Sequence, residues 1–254
     1  MKKIVFIAAL VSIFNFQFSI CHAQFSDYGV KVGIGLATID DDLGTKSPIL
    51  GATVGGYINY TFAQSESVLA ETFMLQTGLS LNRRGSTFQE ILEMGADMSI
   101  REGYIHAYYL QLPILASLHY ELPLRQAGHV LGVFLGPTVN FGLFGRYADR
   151  KIHPGSPDMA TNYDVNFNGT PEMRKLFNHI NRFDVGAMFG FTYEYRNLSA
   201  SLYIDRGFLA TSDGDDILRI LENSMSGSGK VEVKIPNGHN VAYMLSLNYK
   251  LGNF

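Results

Sequence analysis

Cysteine is all but missing from this chain, with Cys21 the single example, and tryptophan does not occur. One thiol cannot form an internal disulfide or a cysteine-rich zinc site. Charge is also scarce: Asp, Glu, Lys and Arg make up 17% of the 254 residues, and the formal net charge is −3. That balance gives no reason to expect nucleic acid as a partner, because binding phosphates needs a clustered basic face. After the first two dozen residues there is no apolar run long enough for a transmembrane helix. What is abundant is glycine, at 26 residues, and aromatic rings, with 18 Phe and 14 Tyr.

The opening MKKIVFIAALVSIFNFQFSICHAQ has the form of a secretion signal. Lys2 and Lys3 are a positive head, Ile4 to Ile20 an apolar stretch, and Cys21-His22-Ala23 a small-residue site before Gln24. Asn15 and Gln17 interrupt the stretch and no basic stop follows, so cleavage is expected rather than anchoring. A lipid-modified cysteine needs a small residue before it, and Ile20 stands there. Residues 1–23 are therefore read as a signal peptide and 24–254 as one exported domain without thiols.

The exported part alternates with the two-residue period of strands. In YGVKVGIGLATID, Tyr28, Val30, Val32, Ile34 and Leu36 share one face, and Gly29, Lys31, Gly33, Gly35 and Ala37 the other. The pattern returns near residues 50–60, 73–81, 108–120, 131–143, 183–195, 198–208 and 241–251, which makes eight strands. Each approximates the roughly 9–11 residues a tilted strand needs to cross a bilayer. The connections after the second, fourth and sixth strands are shorter than most of the others, and Arg196-Asn197 is the tightest. Short turns at one end and longer polar segments at the other are the habit of outer-membrane barrels.

A soluble barrel alternates as well, with its apolar face inward. Two features oppose that arrangement. The less apolar face carries Gly186, Met188, Gly190 and Thr192 rather than a solvated array of charges, and small side chains suit a narrow eight-stranded lumen. Rings also collect at the two ends of the apolar face. Tyr28, Tyr60, Phe73, Tyr120, Tyr195 and Tyr249 mark the short-turn end, and Tyr108, Phe141, Phe183 and Phe208 the long-loop end. Lipid interfaces sort aromatics by height in this way. Arg206 has lipid-facing parity but lies two residues from Phe208, close enough to reach the interface.

With strands so placed, the sequence resembles the PorT-type outer-membrane β-barrel family of Gram-negative bacteria. The similar segments include LQTGLSLNRRG, YYLQLPILASLHYEL, LGVFLGPTVNFGLF, NRFDVGAMFGFTYEY and NVAYMLSLNYKLGNF. Tyr109-Leu110-Gln111-Leu112-Pro113 resembles that family's aromatic-Leu-x-Ile/Leu-Pro strand, and Gly136-Pro137 its Gly-Pro strand. The resemblance implies a barrel in the cell envelope, with a link to secretion or envelope assembly. It departs at the end, where Phe254 falls out of phase with Tyr249 and Leu251.

Chemical motifs are weak. Gly33-x-Gly35-x-x-Thr38 lacks the third glycine of a dinucleotide loop, and Gly44 and Pro48 interrupt the helix it needs. Ser226-Gly227-Ser228-Gly229-Lys230 has Ser224 and Val231 where a phosphate loop requires glycine and a hydroxyl residue. The six histidines after His22 are scattered singly, and neither Asp40–Asp42 nor Asp213, Asp215 and Asp216 has calcium-loop spacing. No cofactor or metal is therefore expected, and no catalytic residue is nominated.

Inward parity assigns five charges to the lumen: Lys31, Asp184, Glu194, Asp205 and Lys250. They form either a paired plug or a polar path, and the small radius favours the plug. In the outer loops, Thr170-Pro171-Glu172 opens one amphipathic pattern, Ser86–Met94 offers a capping box at Ser86 and Gln89, and Asp215–Asn223 is a third. These helices form either a lid or a docking surface.

The expected protein is all-β: an eight-stranded antiparallel up-and-down transmembrane barrel, monomeric, with short helices in its outer loops. Its partners are outer-membrane lipid and a surface or periplasmic protein, and its role is structural or partner-binding. The rival is a lipid-modifying hydrolase of the outer membrane, which would need a nucleophile and base converging near the bilayer rim.

Overall fold

The computed structural model describes residues 23–40, 45–62, 73–94, 97–123, 128–152, 159–165, 167, 181–209 and 238–253. Nine strands occur there: β1 (Ala23–Asp40), β2 (Thr45–Phe62), β3 (Phe73–Met94), β4 (Asp97–Glu121), β5 (His129–Ile152), β6 (Met159–Asp164), β7 (Phe183–Tyr195), β8 (Leu198–Gly207) and β9 (His239–Asn253). Eight of them close a ring, β1-β2-β3-β4-β5-β7-β8-β9, in which every pairing is antiparallel. Closure lies between the first and last strands, where Val32 faces Leu247 and Ile34 faces Leu245.

Alternation gives this ring a reversed surface. Val32, Ile34, Leu36, Leu202 and Leu245 are more than half exposed on the outside, whereas Thr138, Asn140, Gln111 and Ser246 are sealed within. Water would charge a large free-energy penalty for that outer band, on the order of 25 cal/mol per Å² of apolar surface. The opening glycines belong to the inner face. A side-chain carbon at Gly33 would lie 2.8 Å from both the Leu245 carbonyl oxygen and Thr53 Cγ2. Glycine recurs there because neighbouring strands crowd the lumen, not because a phosphate must be cradled.

The eight membrane strands are those expected, but three run much further. β3, β4 and β5 have 22, 25 and 24 residues, while β7 and β8 have 13 and 10. Their excess forms a leaf standing beyond the long-loop end of the ring. β5 divides its partners accordingly: His129–Phe141 pairs with β7, and Arg146–Lys151 with the short β6.

This leaf overturns the helix expected over Ser86–Met94. Those residues are strand, paired one for one with β4 from Ser86↔Ile105 to Met94↔Asp97. The proposed cap Ser86 is buried on the inner face, and the Phe88 ring stacks on Tyr147 at 5.7 Å. Cross-strand partners at every position outweigh a local capping pattern. Among the described residues the outer end is thus built from prolonged strands, and in the sequence only Gly95 and Ala96 separate β3 from β4. No helix occurs among the described residues. The helical patterns near Thr170 and Asp215–Asn223 lie outside them, as do residues 1–22.

Candidate functional site in the barrel lumen

The lumen has two polar storeys with an apolar layer between them. The outer storey is organised by Arg84, which is 2% exposed. Inward parity on β3 runs through Gln76, Gly78, Ser80, Asn82 and Arg84, so the guanidinium enters the lumen where β7 and β8 present acids. One arm is ion-paired and hydrogen-bonded to Asp205 and also donates to Asn140 Oδ1 at 3.2 Å. The other lies 3.7 Å from Asp184. Asp205 further accepts from Gln111 at 2.6 Å and Thr138 at 3.3 Å. Asp184 accepts from Asn240 at 3.4 Å and from the Leu209 backbone N–H at 3.3 Å. The Arg84 guanidinium also lies over the ring of Tyr109. Buried charges persist when paired and hydrogen-bonded in this manner.

Below it, Leu115, Phe134, Met188, Tyr203, Ala242 and Met244 form a buried apolar septum. The strand order fixes its height. On β7, Asp184 belongs above it, Met188 within it, and Thr192 and Glu194 below. On β8 the same descent runs Asp205, Tyr203, Ser201, and on β9 it runs Asn240, Met244, Asn248.

The inner storey opens at the end where β1 begins and β9 finishes. Lys250 meets Asp27 at 3.2 Å, Asn59 donates to Asp27 at 2.8 Å, and Gln76 donates to Asn59 at 3.0 Å. His119 Nδ1 stands 3.5 Å from Glu194. Asn248 donates to Ser199 and Ser201 at 3.1 and 3.0 Å. These groups line a mouth with about 550 Å³ of empty space.

The five charges expected in the lumen therefore do not gather in one place. Asp184 and Asp205 share Arg84, whereas Glu194 and Lys250 sit in the mouth on separate partners. Lys31 belongs to neither pair: it is level with Asn248 on β9, and its ammonium reaches up into the septum, 5.7 Å from the centre of the Tyr203 ring. Sequence reasoning missed Arg84 and Asp27. Arg84 was legible, since the even-numbered inward parity of β3 simply continues beyond Leu81. Asp27 carries the same signal one step before Gly29 on β1.

Among the described residues, three histidines engage groups other than a serine or threonine hydroxyl. His106, His119 and His129 contact Arg83, Glu194 and the Tyr193 hydroxyl, respectively. Among the described residues no three His, Cys, Asp or Glu side chains converge as a metal site would require.

Several solved structures match this chain at low overall similarity. Ail, the attachment invasion locus protein of Yersinia pestis, in complex with the heparin analogue sucrose octasulfate, shows 8% identity over 90% of this chain and 100% of its own, at a TM-score of 0.33. A second structure of Ail gives 7% identity, the same coverage and a TM-score of 0.32. The CymD monoaromatic hydrocarbon channel gives 8% identity, 90% and 89% coverage, and a TM-score of 0.20. No curated protein sequence matches the chain. A family profile does, across residues 21–212, on a ring of strands whose greasy side faces outward. The chain belongs to the outer membrane protein beta-barrel domain family and resides in the outer membrane.

Proposed function

We propose that this barrel is non-enzymatic and acts through the part of its wall that leaves the bilayer, as a structural element that docks a surface protein. The observation carrying this is the length of β3, β4 and β5, at 22, 25 and 24 residues. About 9–11 residues suffice to span a membrane, so roughly half of each strand serves something else. In barrels of this kind the termini and short turns are periplasmic, which puts the leaf outside the cell. Its inner face is already covered: Ala107, Tyr109, Tyr147, Val165 and Phe167 form a second buried cluster. A rigid backed sheet is a suitable platform for a partner.

The luminal charges close the barrel instead of conducting. An eight-stranded lumen is narrow enough for its own side chains to fill, and planar-bilayer recordings should show no stepwise conductance. Cleavage of residues 1–23 and membership of the PorT-type branch, with its link to secretion or envelope assembly, belong to the same proposal. A photo-crosslinking residue at Ile100, near the leaf tip, should capture a protein in intact cells, and one at Leu245 in the lipid-facing band should capture none. Protein adducts at both positions, or at neither, would reject the docking role. Incubation with lipid A and phospholipid should give no turnover; turnover lost on changing one serine or histidine would establish the hydrolase instead.

A further inference from the structure

The outward face of β3, β4 and β5 changes chemistry in a fixed vertical order. On β4 it reads Ile114, Leu112, Leu110, then Tyr108, His106, Tyr104 and Glu102. Leu79 and Leu81 lead to Arg83 on β3, and Phe141 and Phe144 lead to Arg146 on β5. Hydrocarbon-facing residues thus end in a ring layer, where Tyr108 stacks on Phe144 at 4.6 Å. One rung higher comes a basic row.

That row is compact. His106 is directly opposite Arg146 on one side and Gly85 on the other, and the bare glycine lets Arg83 reach across to place Nη2 2.7 Å from His106 Nδ1. Because arginine can only donate, Nδ1 accepts and the imidazole proton sits on Nε2. Burial, and then the charge of Arg83, lower the His106 pKa, which keeps the ring in this neutral form. The Tyr104 ring fixes the imidazole edge-on at 4.6 Å. Two guanidinium groups and an N–H donor therefore share one patch of three adjacent strands. The acid in register with them is Asp164 of β6, opposite Arg146.

Immediately above, the same outward face is hollow. Thr87, Gln89, Glu102, Tyr104, Arg150 and Asn162 border a groove with about 910 Å³ of empty space. Its walls combine a ring face with amide, hydroxyl, carboxylate and guanidinium groups, with Arg150 and Glu102 3.5 Å apart. Hydroxyl-rich ligands are held by such mixtures of flat apolar surface and paired polar groups.

We propose that this strip binds a phosphorylated glycolipid of the outer leaflet. Acyl chains lie against Leu79, Leu110 and Leu112, a phosphate bridges Arg83, His106 and Arg146, and the saccharide occupies the groove. Arginine suits the central role because its fork engages phosphate oxygens in pairs. The occupant is a lipid rather than a free anion because the basic row continues upward from a hydrocarbon-facing surface.

Native mass spectrometry of the purified full-length barrel tests the assignment with three probes: diphosphoryl lipid A, the same lipid stripped of phosphate, and inorganic phosphate. The diphosphoryl lipid should be retained at concentrations about tenfold or more below those needed for the stripped lipid. Arg83→Gln with Arg146→Gln should abolish that preference while leaving the folded, fast-migrating gel form intact. Equal retention of both lipids by the unaltered barrel would overturn the proposal, and so would a preference that survives the double substitution. Displacement of the lipid by equimolar inorganic phosphate would reduce the strip to an anion site and overturn it as well. If the double variant fails to fold, Arg146→Gln alone, at an exposed side chain, carries the same test: an unchanged preference there would overturn the proposal.

Discussion

The two storeys of the lumen use the same side-chain types for different ends. Around Arg84 the guanidinium and both carboxylates are only 2–3% exposed. Around Lys250 the ammonium group is about a third exposed and the mouth holds open space. A buried pair cannot lose one partner without leaving a stranded charge, whereas a wet pair passes its loss to water. Met188, Tyr203 and Met244 lie between the two regimes, and Lys31 is the charge that reaches into that layer.

Substitutions can test that contrast. Arg84→Met strands two carboxylates and should cost about 3–5 kcal/mol, read as a lower urea midpoint in liposomes. Adding Asp184→Asn and Asp205→Asn should restore most of the loss; a triple variant as weak as the single one would show that Arg84 acts by packing alone. On the outside of the same wall, Val54→Arg or Phe189→Arg should cost about 2–4 kcal/mol and impair assembly, because the charge faces hydrocarbon. Gln111→Leu removes one donor from Asp205 and should cost about 1–3 kcal/mol by the same measurement. Lys250→Gln should change stability by at most about 1 kcal/mol. A loss at Lys250 equal to that at Arg84 would erase the distinction between the storeys.

How much of this could be read from the chain depends on the range of the forces involved. Alternation is local, so β7 was legible to the residue at Phe183–Tyr195, and the outward parity of Val32, Leu245 and their neighbours was plain. Parity also marked Asp184 and Asp205 as inward. Their partner was not evident, because Arg84 meets Asp205 across 121 positions and only the register of a closed ring brings them together. The strand at Ser86–Met94 was hidden for the opposite reason. Its residues carry a credible helix start, and the pairing that overrides it comes from Asp97–Ile105 across a two-residue link. Aromatic heights set an expectation for the bilayer's edges, yet they could not show that the wall continues past them.

The exchange of neighbours along β5 has a consequence for where this molecule floats. Backbone amides immersed in lipid have no substitute for a sheet partner, so the circuit of strands must be complete at every depth below the surface. Between Phe141 and Arg146 that circuit is given up, and β5 takes β6 instead of β7. The seam can part only where water bathes the amides, so the fork itself is a waterline, drawn in hydrogen bonds a few residues above the last ring of Phe141 and Phe183.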